Sequence, residues 1–359
     1  MFVAREAARP SLEAIGEGGS VTGKEPVCPA CLGNHAQPIL SVSAQEAALH
    51  FVSPRFDAER NDRILSRIRS LWGSDQCRIL ECQNCGFGFS WPFVAGDAAF
   101  YNLTGSDAVY PKVKWEFSRT VEALALRDTS DARILEVGAG NGFFLDRVSP
   151  RLIRQENVTA VEYNERSITT LKRKGYEALT LDIRDKPFDG RGSSFDFIFM
   201  FQVIEHLDRI DELFERVRFL LKPGGSAFCA VPNVKRIAYQ ESHGSLLDMP
   251  PNHIGRWTPQ AFREVSSRLG LRVAATEVEP LDWMEFFKHD ISYSHIRRTQ
   301  IAPAGALAKI RSWPRGRRRR LAEAAAAALG IPARLSSWAD AWKDRKIMGG
   351  SLWIQLDRI

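Results

Sequence analysis

The stretch Glu136-Val137-Gly138-Ala139-Gly140-Asn141-Gly142 limits the fold more than any other part of the chain. It follows the apolar pair Ile134-Leu135 and precedes Phe143 to Val148, so a first strand, Arg133 to Val137, turns sharply into a first helix. Glycine at such a turn lets the backbone bend and removes the Cβ that would hold a ligand away. The N–H groups of the helix start are left facing whatever binds. Strand–loop–helix units of this kind assemble into parallel sheets.

The rest of the pattern agrees. Val158 to Glu162 reads as a second strand, Glu165 to Lys174 as a helix closed by Gly175, and Ala178 to Leu181 as a short third strand. Phe195 to Phe201 is a continuous apolar run, the mark of a strand buried on both faces. Ile210 to Leu221 places Leu213, Phe214, Val217, Leu220 and Leu221 on one helical stripe, and Pro223-Gly224-Gly225 is expected to stop it. Ser226 to Val231 follows as a strand. Thr258-Pro259 is a helix start with a hydroxyl N-cap, Leu271 to Val278 a sixth strand, and Ser351 to Leu356 the last.

Glycine spacing and carboxylates define the expected ligand. A dinucleotide site places its third glycine one residue later, so that a pyrophosphate can rest on the helix. Here the spacing is Gly-x-Gly-x-Gly behind an acidic Glu136, which suits a cationic nucleoside better than a pyrophosphate. Glu162, with Tyr163 beside it, ends the second strand where a carboxylate can accept both ribose hydroxyls. Asp182 follows the third strand, placed for an adenine amino group, with Ile183 against the ring.

On these marks, together with Ser194-Phe195-Asp196, Glu205-His206-Leu207 and Leu221-Lys222-Pro223-Gly224-Gly225, residues 131 to about 280 resemble the class I S-adenosylmethionine-dependent methyltransferases. The resemblance implies an α/β fold with a doubly wound, mostly parallel seven-stranded sheet whose last strand runs antiparallel. It implies cofactor contacts from Glu136, Gly138, Ala139, Gly140, Gly142, Glu162, Tyr163, Asp182 and Ile183, with Phe201 and Gln202 at the methionine end. It is nearly silent on the methyl acceptor.

Two histidines are candidates for the base that takes the acceptor's proton, His253 first and His206 second. Both lie beyond carboxyl ends of strands, where doubly wound sheets bind ligands, and imidazole titrates near neutrality. Each has a plain alternative, His206 as a packing residue and His253 as a loop residue holding carbonyls. Arg256 and Trp257 either grip the acceptor or pack the loop. Pro250-Pro251-Asn252-His253 ahead of Thr258-Pro259 resembles a subgroup acting on small hydroxylated acceptors, sugars and quinones among them.

The six cysteines include Cys28-Pro29-Ala30-Cys31 and Cys82-Gln83-Asn84-Cys85, the knuckle spacing of a structural four-thiolate zinc site. Fifty residues separate the pairs, so a helical excursion is expected between them, with Ile64, Ile68 and Leu71 as its apolar stripe. Cys77 is a poorer substitute ligand. Similar cysteine-paired modules occur in bacterial sugar and polysaccharide methyltransferases.

These readings divide the chain into a loose tail (1–25), a zinc-knuckle module (26–95), a linker and leading helix (96–130), the cofactor-binding domain (131–280 with 350–359) and a helical insertion (281–349). The insertion holds 14 Lys+Arg against 6 Asp+Glu, including Arg315-Gly316-Arg317-Arg318-Arg319-Arg320, while the whole chain carries +6. Phosphate of a sugar carrier, an anionic membrane surface and a solvated face compete to explain it. Nucleic acid is not expected as a partner, since no aromatic-basic platform appears. No signal peptide or membrane span is legible, so a cytoplasmic enzyme is expected. Methyl transfer to a hydroxyl of a glycan or nucleotide-sugar is the leading expectation, with nitrogen and carbon behind oxygen. A quinone-like metabolite as acceptor, or a binder that has lost catalysis, are the alternatives.

Overall fold

A computed structural model describes residues 26–104, 111–149, 151–243, 245, 248–287, 290–291 and 305–359. The expected tail, 1–25, and part of the insertion lie outside the described residues. In chain order the strands are β1 (Ala36–Ser43), β2 (Gln76–Cys82), β3 (Gly88–Trp91), β4 (Ile134–Val137), β5 (Val158–Val161), β6 (Glu177–Leu179), β7 (Phe195–Phe201), β8 (Leu221–Pro232), β9 (Gly255–Arg256), β10 (Leu271–Val278) and β11 (Ser351–Arg358). The helices are α1 (Ala44–Phe51), α2 (Ala58–Trp72), α3 (Ala98–Thr104), α4 (Trp115–Ala125), α5 (Leu145–Val148), α6 (Glu165–Arg173), α7 (Ile210–Leu220), α8 (Val234–Ser242), α9 (Pro259–Arg268), α10 (Ala306–Arg311), α11 (Arg317–Leu329) and α12 (Leu335–Lys343).

The larger sheet has seven strands in the order β10-β11-β8-β7-β4-β5-β6. β7, β4, β5, β6 and β8 run parallel, while β11 is antiparallel to both β8 and β10. Side chains of β7 alternate between two cores. Ile198 and Met200 join α7 and α9 on one face, and Phe197, Phe199 and Phe201 join α4, α5 and α6 on the other. Double burial is why this strand reads as unbroken apolar sequence. The fold is a Rossmann-like α/β architecture with a mostly parallel seven-stranded sheet.

One boundary differs from the sequence pattern. Leu221 was expected to end the helix, yet it opens β8 by pairing with Phe195. The register then jumps to Phe197 opposite Ser226, so Lys222-Pro223-Gly224-Gly225 forms a bulge inside the strand. At Gly225 a Cβ would stand 2.9 Å from the Lys222 carbonyl and 3.0 Å from that of Asp196, which leaves no room for a side chain.

The second sheet is antiparallel, in the order β1-β2-β3-β9. Its fourth strand comes from residues 255–256, far along the chain, paired as Gly88 with Arg256 and Phe89 with Gly255. Between the cysteine pairs the chain forms β1, two helices and β2. On α2, Ile64, Ile68 and Trp72 are the buried apolar residues, so Trp72 takes the place expected for Leu71. Phe87, Trp257 and Phe262 pack as neighbouring rings 4.6–4.7 Å apart, fusing the small sheet's core to that of the large one. No helix among the described residues is long and apolar enough to cross a membrane.

Candidate active site

Beyond β4 the backbone is left-handed at Gly138 (φ 70°), Gly140 (φ 52°) and Gly142 (φ 73°), conformations that strain any side chain. A Cβ on Gly138 would stand 2.5 Å from Val203 Cγ2. The Gly138 and Ala139 N–H groups donate to the Val161 carbonyl (2.9 and 3.1 Å), which pins the loop over β5.

Glu136 is buried, and its Oε2 has no hydrogen-bond partner. Burial pushes its carboxyl well above the ordinary range, with Lys114 pulling the other way. A carboxyl in that condition is stabilised by a cation arriving with a ligand. The ammonium and sulfonium of S-adenosylmethionine fit that demand, and a pyrophosphate does not.

Glu162 is oriented before any ligand arrives. Its Oε2 accepts from Gly140 N (2.7 Å), and its Oε1 accepts from Tyr163 N (2.8 Å) and Asn164 N (2.9 Å). Three of about four lone-pair positions are filled. One ribose hydroxyl can bind directly, and the second must displace the Gly140 N–H.

Asp182 was expected as an open acceptor. Instead it faces Arg184, with Nε 2.9 and 3.0 Å from its two oxygens, because the turn brings residue 184 back onto residue 182. Burial raises Asp182, but the guanidinium outweighs it and holds the carboxyl below its usual value. Ile183 is packed in the sheet's core instead of lining open space. The Tyr163 side chain is exposed. Phe201 packs among Phe117 and Phe144 (5.3 and 4.8 Å between centroids). Gln202 sits at φ 59°, an uncommon conformation for a side-chain-bearing residue, and donates to Glu116 and Ser351 (3.3 Å each).

The two candidate bases meet beyond β7. His206 closes a single turn, Ile204–His206, and its ring lies 4.5 Å from that of His253, nearly perpendicular. The His206 Nδ1 lies 2.9 Å from the Asn252 carbonyl, and the His253 Nδ1 lies 2.7 Å from Asp248 Oδ1. The Ile254 N–H donates to the Glu205 carbonyl (2.8 Å), clamping the loop onto the turn. Burial and the neighbouring His253 lower His206 to about 3. Burial also opposes charge on His253, but the Asp248 hydrogen bond and charge prevail and raise it. Glu205, 0% exposed, is pushed up to about 7 by burial, against the pull of His253. Neither of its oxygens has a hydrogen-bond partner.

Residues 112–276 match the family described as "Methyltransferase domain". That segment of the chain carries a methyltransferase domain. No curated protein matches it in sequence. Among solved structures it is similar to an S-adenosylmethionine-dependent methyltransferase from Archaeoglobus fulgidus (15% identity, TM-score 0.43, covering 68% of this chain and 92% of that one). A Mesorhizobium loti enzyme of the same description shares 13% identity (TM-score 0.42, 69% and 100%). Phosphoethanolamine N-methyltransferase 2 of Haemonchus contortus, solved with S-adenosyl-L-methionine, shares 17% (TM-score 0.40, 71% and 54%).

Arg256 and Trp257 serve the packing of the loop. Trp257 is fully buried, and Arg256 Nη1 lies 3.0 Å from Glu241. Thr258 accepts from Ala261 N (3.0 Å) as the N-cap of α9 and donates to the Cys85 carbonyl (2.7 Å). Sequence reasoning quoted Glu205 only as a motif letter and passed over Asp248, whose sole signal was its place five residues before His253.

The four paired cysteines also meet. Cys28 Sγ lies 3.7 Å from Cys85 Sγ, and Cys31 Sγ lies 3.5 Å from Cys82 Sγ. A tetrahedral ion with bonds of about 2.3 Å to sulfur separates its ligands by about 3.8 Å, so the donor set fits zinc. The Cys85 thiol holds Cys28 down at about 5 despite burial. Cys77 lies apart in a different core, where burial pushes it up to about 12.

Proposed function

We propose that this enzyme methylates a hydroxyl of a glycan or nucleotide-sugar, and that a structural zinc held by Cys28, Cys31, Cys82 and Cys85 fixes the acceptor side. S-adenosylmethionine supplies a methyl carbon already activated by its sulfonium, so the protein's work is positioning, water exclusion and relief of one proton. Glu136 and the Gly138–Gly142 turn hold the donor, with Glu162 on the ribose. His253 and His206 meet the acceptor's oxygen, and its proton is given up within their basic cluster.

One observation carries the choice of acceptor: the cluster of Glu205 and Asp248, both buried, with the half-buried His206 and His253 is densely polar. A polyhydroxylated acceptor can answer such groups, whereas an apolar ring would leave them unpaired. The test is turnover with methyl-labelled S-adenosylmethionine against nucleotide-sugars, oligosaccharides and reduced quinones. Label in a sugar hydroxyl supports the reading. Label confined to quinones rejects it, and tight cofactor binding without any product favours a binder.

A further inference from the structure

Glu205, His206 and His253 point one donor atom each at a common centre, all within 4.8 Å of one another. What they lack is a hydrogen. Asn252 offers His206 a carbonyl, which only accepts, so the proton of the neutral ring lies on Nδ1 and Nε2 carries a lone pair. Asp248 draws the His253 ring proton to Nδ1 in the same way. Glu205 adds a carboxylate with no hydrogen-bond partner at either oxygen, its Oε1 lying 4.0 Å from the His206 Nε2. With both rings neutral, a fully buried carboxylate and two half-buried imidazoles therefore converge as acceptors without a donor, an expensive arrangement unless something positive sits between them.

We propose that Glu205, His206 and His253 form a site for a first-row divalent cation. Two imidazoles and one carboxylate are a set that such ions accept with positions left open. Metal-bound histidines commonly carry an acceptor on the second nitrogen, which fixes the ring and its proton. Both rings have one here, a carboxylate behind His253 and a peptide carbonyl behind His206. The cation site is distinct from the four-cysteine cluster, whose soft donors select a different coordination. Tetrahedral ligands on nitrogen and oxygen stand about 3.4 Å apart, so a pair at the 4.8 Å limit would close by at most about 1.4 Å on binding.

The site deepens the proposed function and rests on it in one respect: the acceptor must enter at this cluster for an open position to take its oxygen, so that the two histidines meet that oxygen through the cation they hold and not directly. Three protein ligands leave room for one or two such oxygens. An acceptor with neighbouring hydroxyls is then preferred over one with an isolated hydroxyl.

The experiment is titration of the full-length protein with Mn2+, following the free ion by electron paramagnetic resonance. Hard Mn2+ is a poor ligand for thiolates and reports the nitrogen–oxygen site. One ion per chain is expected. Glu205→Gln and His253→Gln should each weaken it at least tenfold, and Asp248→Asn by roughly 10- to 100-fold through loss of ring orientation. S-adenosylhomocysteine binding by the same samples shows that each variant is folded. No binding of Mn2+ or Co2+ by the wild type, or equal binding by wild type and folded variants, overturns the cation site. Either result leaves the cofactor reading standing, while failure of the wild type to bind S-adenosylhomocysteine sinks that reading alone.

Discussion

Two buried glutamates stand near the carboxyl ends of neighbouring strands, Glu136 one residue before the end of β4 and Glu205 just past β7. Each keeps carboxylate oxygen without a hydrogen-bond partner, one oxygen in Glu136 and both in Glu205. Their surroundings differ. Glu136 lies behind a glycine turn, with Lys114 exerting the strongest opposing charge. Glu205 faces two imidazoles whose far nitrogens are already engaged. The same unmet demand for positive charge thus takes two forms: in the proposed reading, one is met by a cation carried on the methyl donor and the other by a cation bound on the acceptor side.

Substitutions can break this contrast, and the largest effect belongs to the turn. Gly140→Val places a β-branched residue at φ 52° where the ligand must approach, and should reduce S-adenosylhomocysteine affinity by more than 100-fold in calorimetry. Mn2+ binding should survive; its loss would mean the two ends are not independent. Next, Cys82→Ser should remove about one zinc per chain and lower Tm sharply, because closed zinc sites contribute folding energy. Cys77→Ser should leave metal content unchanged; equal zinc loss from both would move the ligand set.

Glu162→Ala should weaken S-adenosylhomocysteine by about 1.5–3 kcal/mol, the range for a hydrogen bond to a charged group. Unchanged affinity would remove Glu162 from the site. The smallest effect should come from Arg319→Ala on α11, a helix without a fully buried residue. Its ion pair with Glu323 (3.0 Å) stabilises by about 0.5 kcal/mol or less in thermal unfolding. A larger cost would show that the basic helix packs against something.

The strand, glycine turn and carboxylate proposed for the donor were legible as local structure because their parts are contiguous. A strand, a glycine turn and a carboxylate one strand over are fixed by local pattern and by the handedness of βαβ units. The acceptor end was not. It joins a turn at 204–206 to a loop at 248–254 through the Ile254 to Glu205 bond, and the loop continues into β9, which pairs with a strand from the cysteine module. No spacing in the sequence encodes such a pairing. Asp182 shows the same gap on a smaller scale, since capture of its carboxylate by Arg184 depends on one side chain folding back. Trp257 could be placed near the loop, but whether it meets ligand or core was decided by Phe87 from the module.

The most direct test is calorimetric titration of the full-length protein with S-adenosylmethionine and, separately, with a nicotinamide dinucleotide. One equivalent of S-adenosylmethionine should bind, abolished by Gly140→Val, and the dinucleotide should give no heat. Saturable dinucleotide binding, or none by S-adenosylmethionine, would contradict a cavity built around the lone oxygen of Glu136.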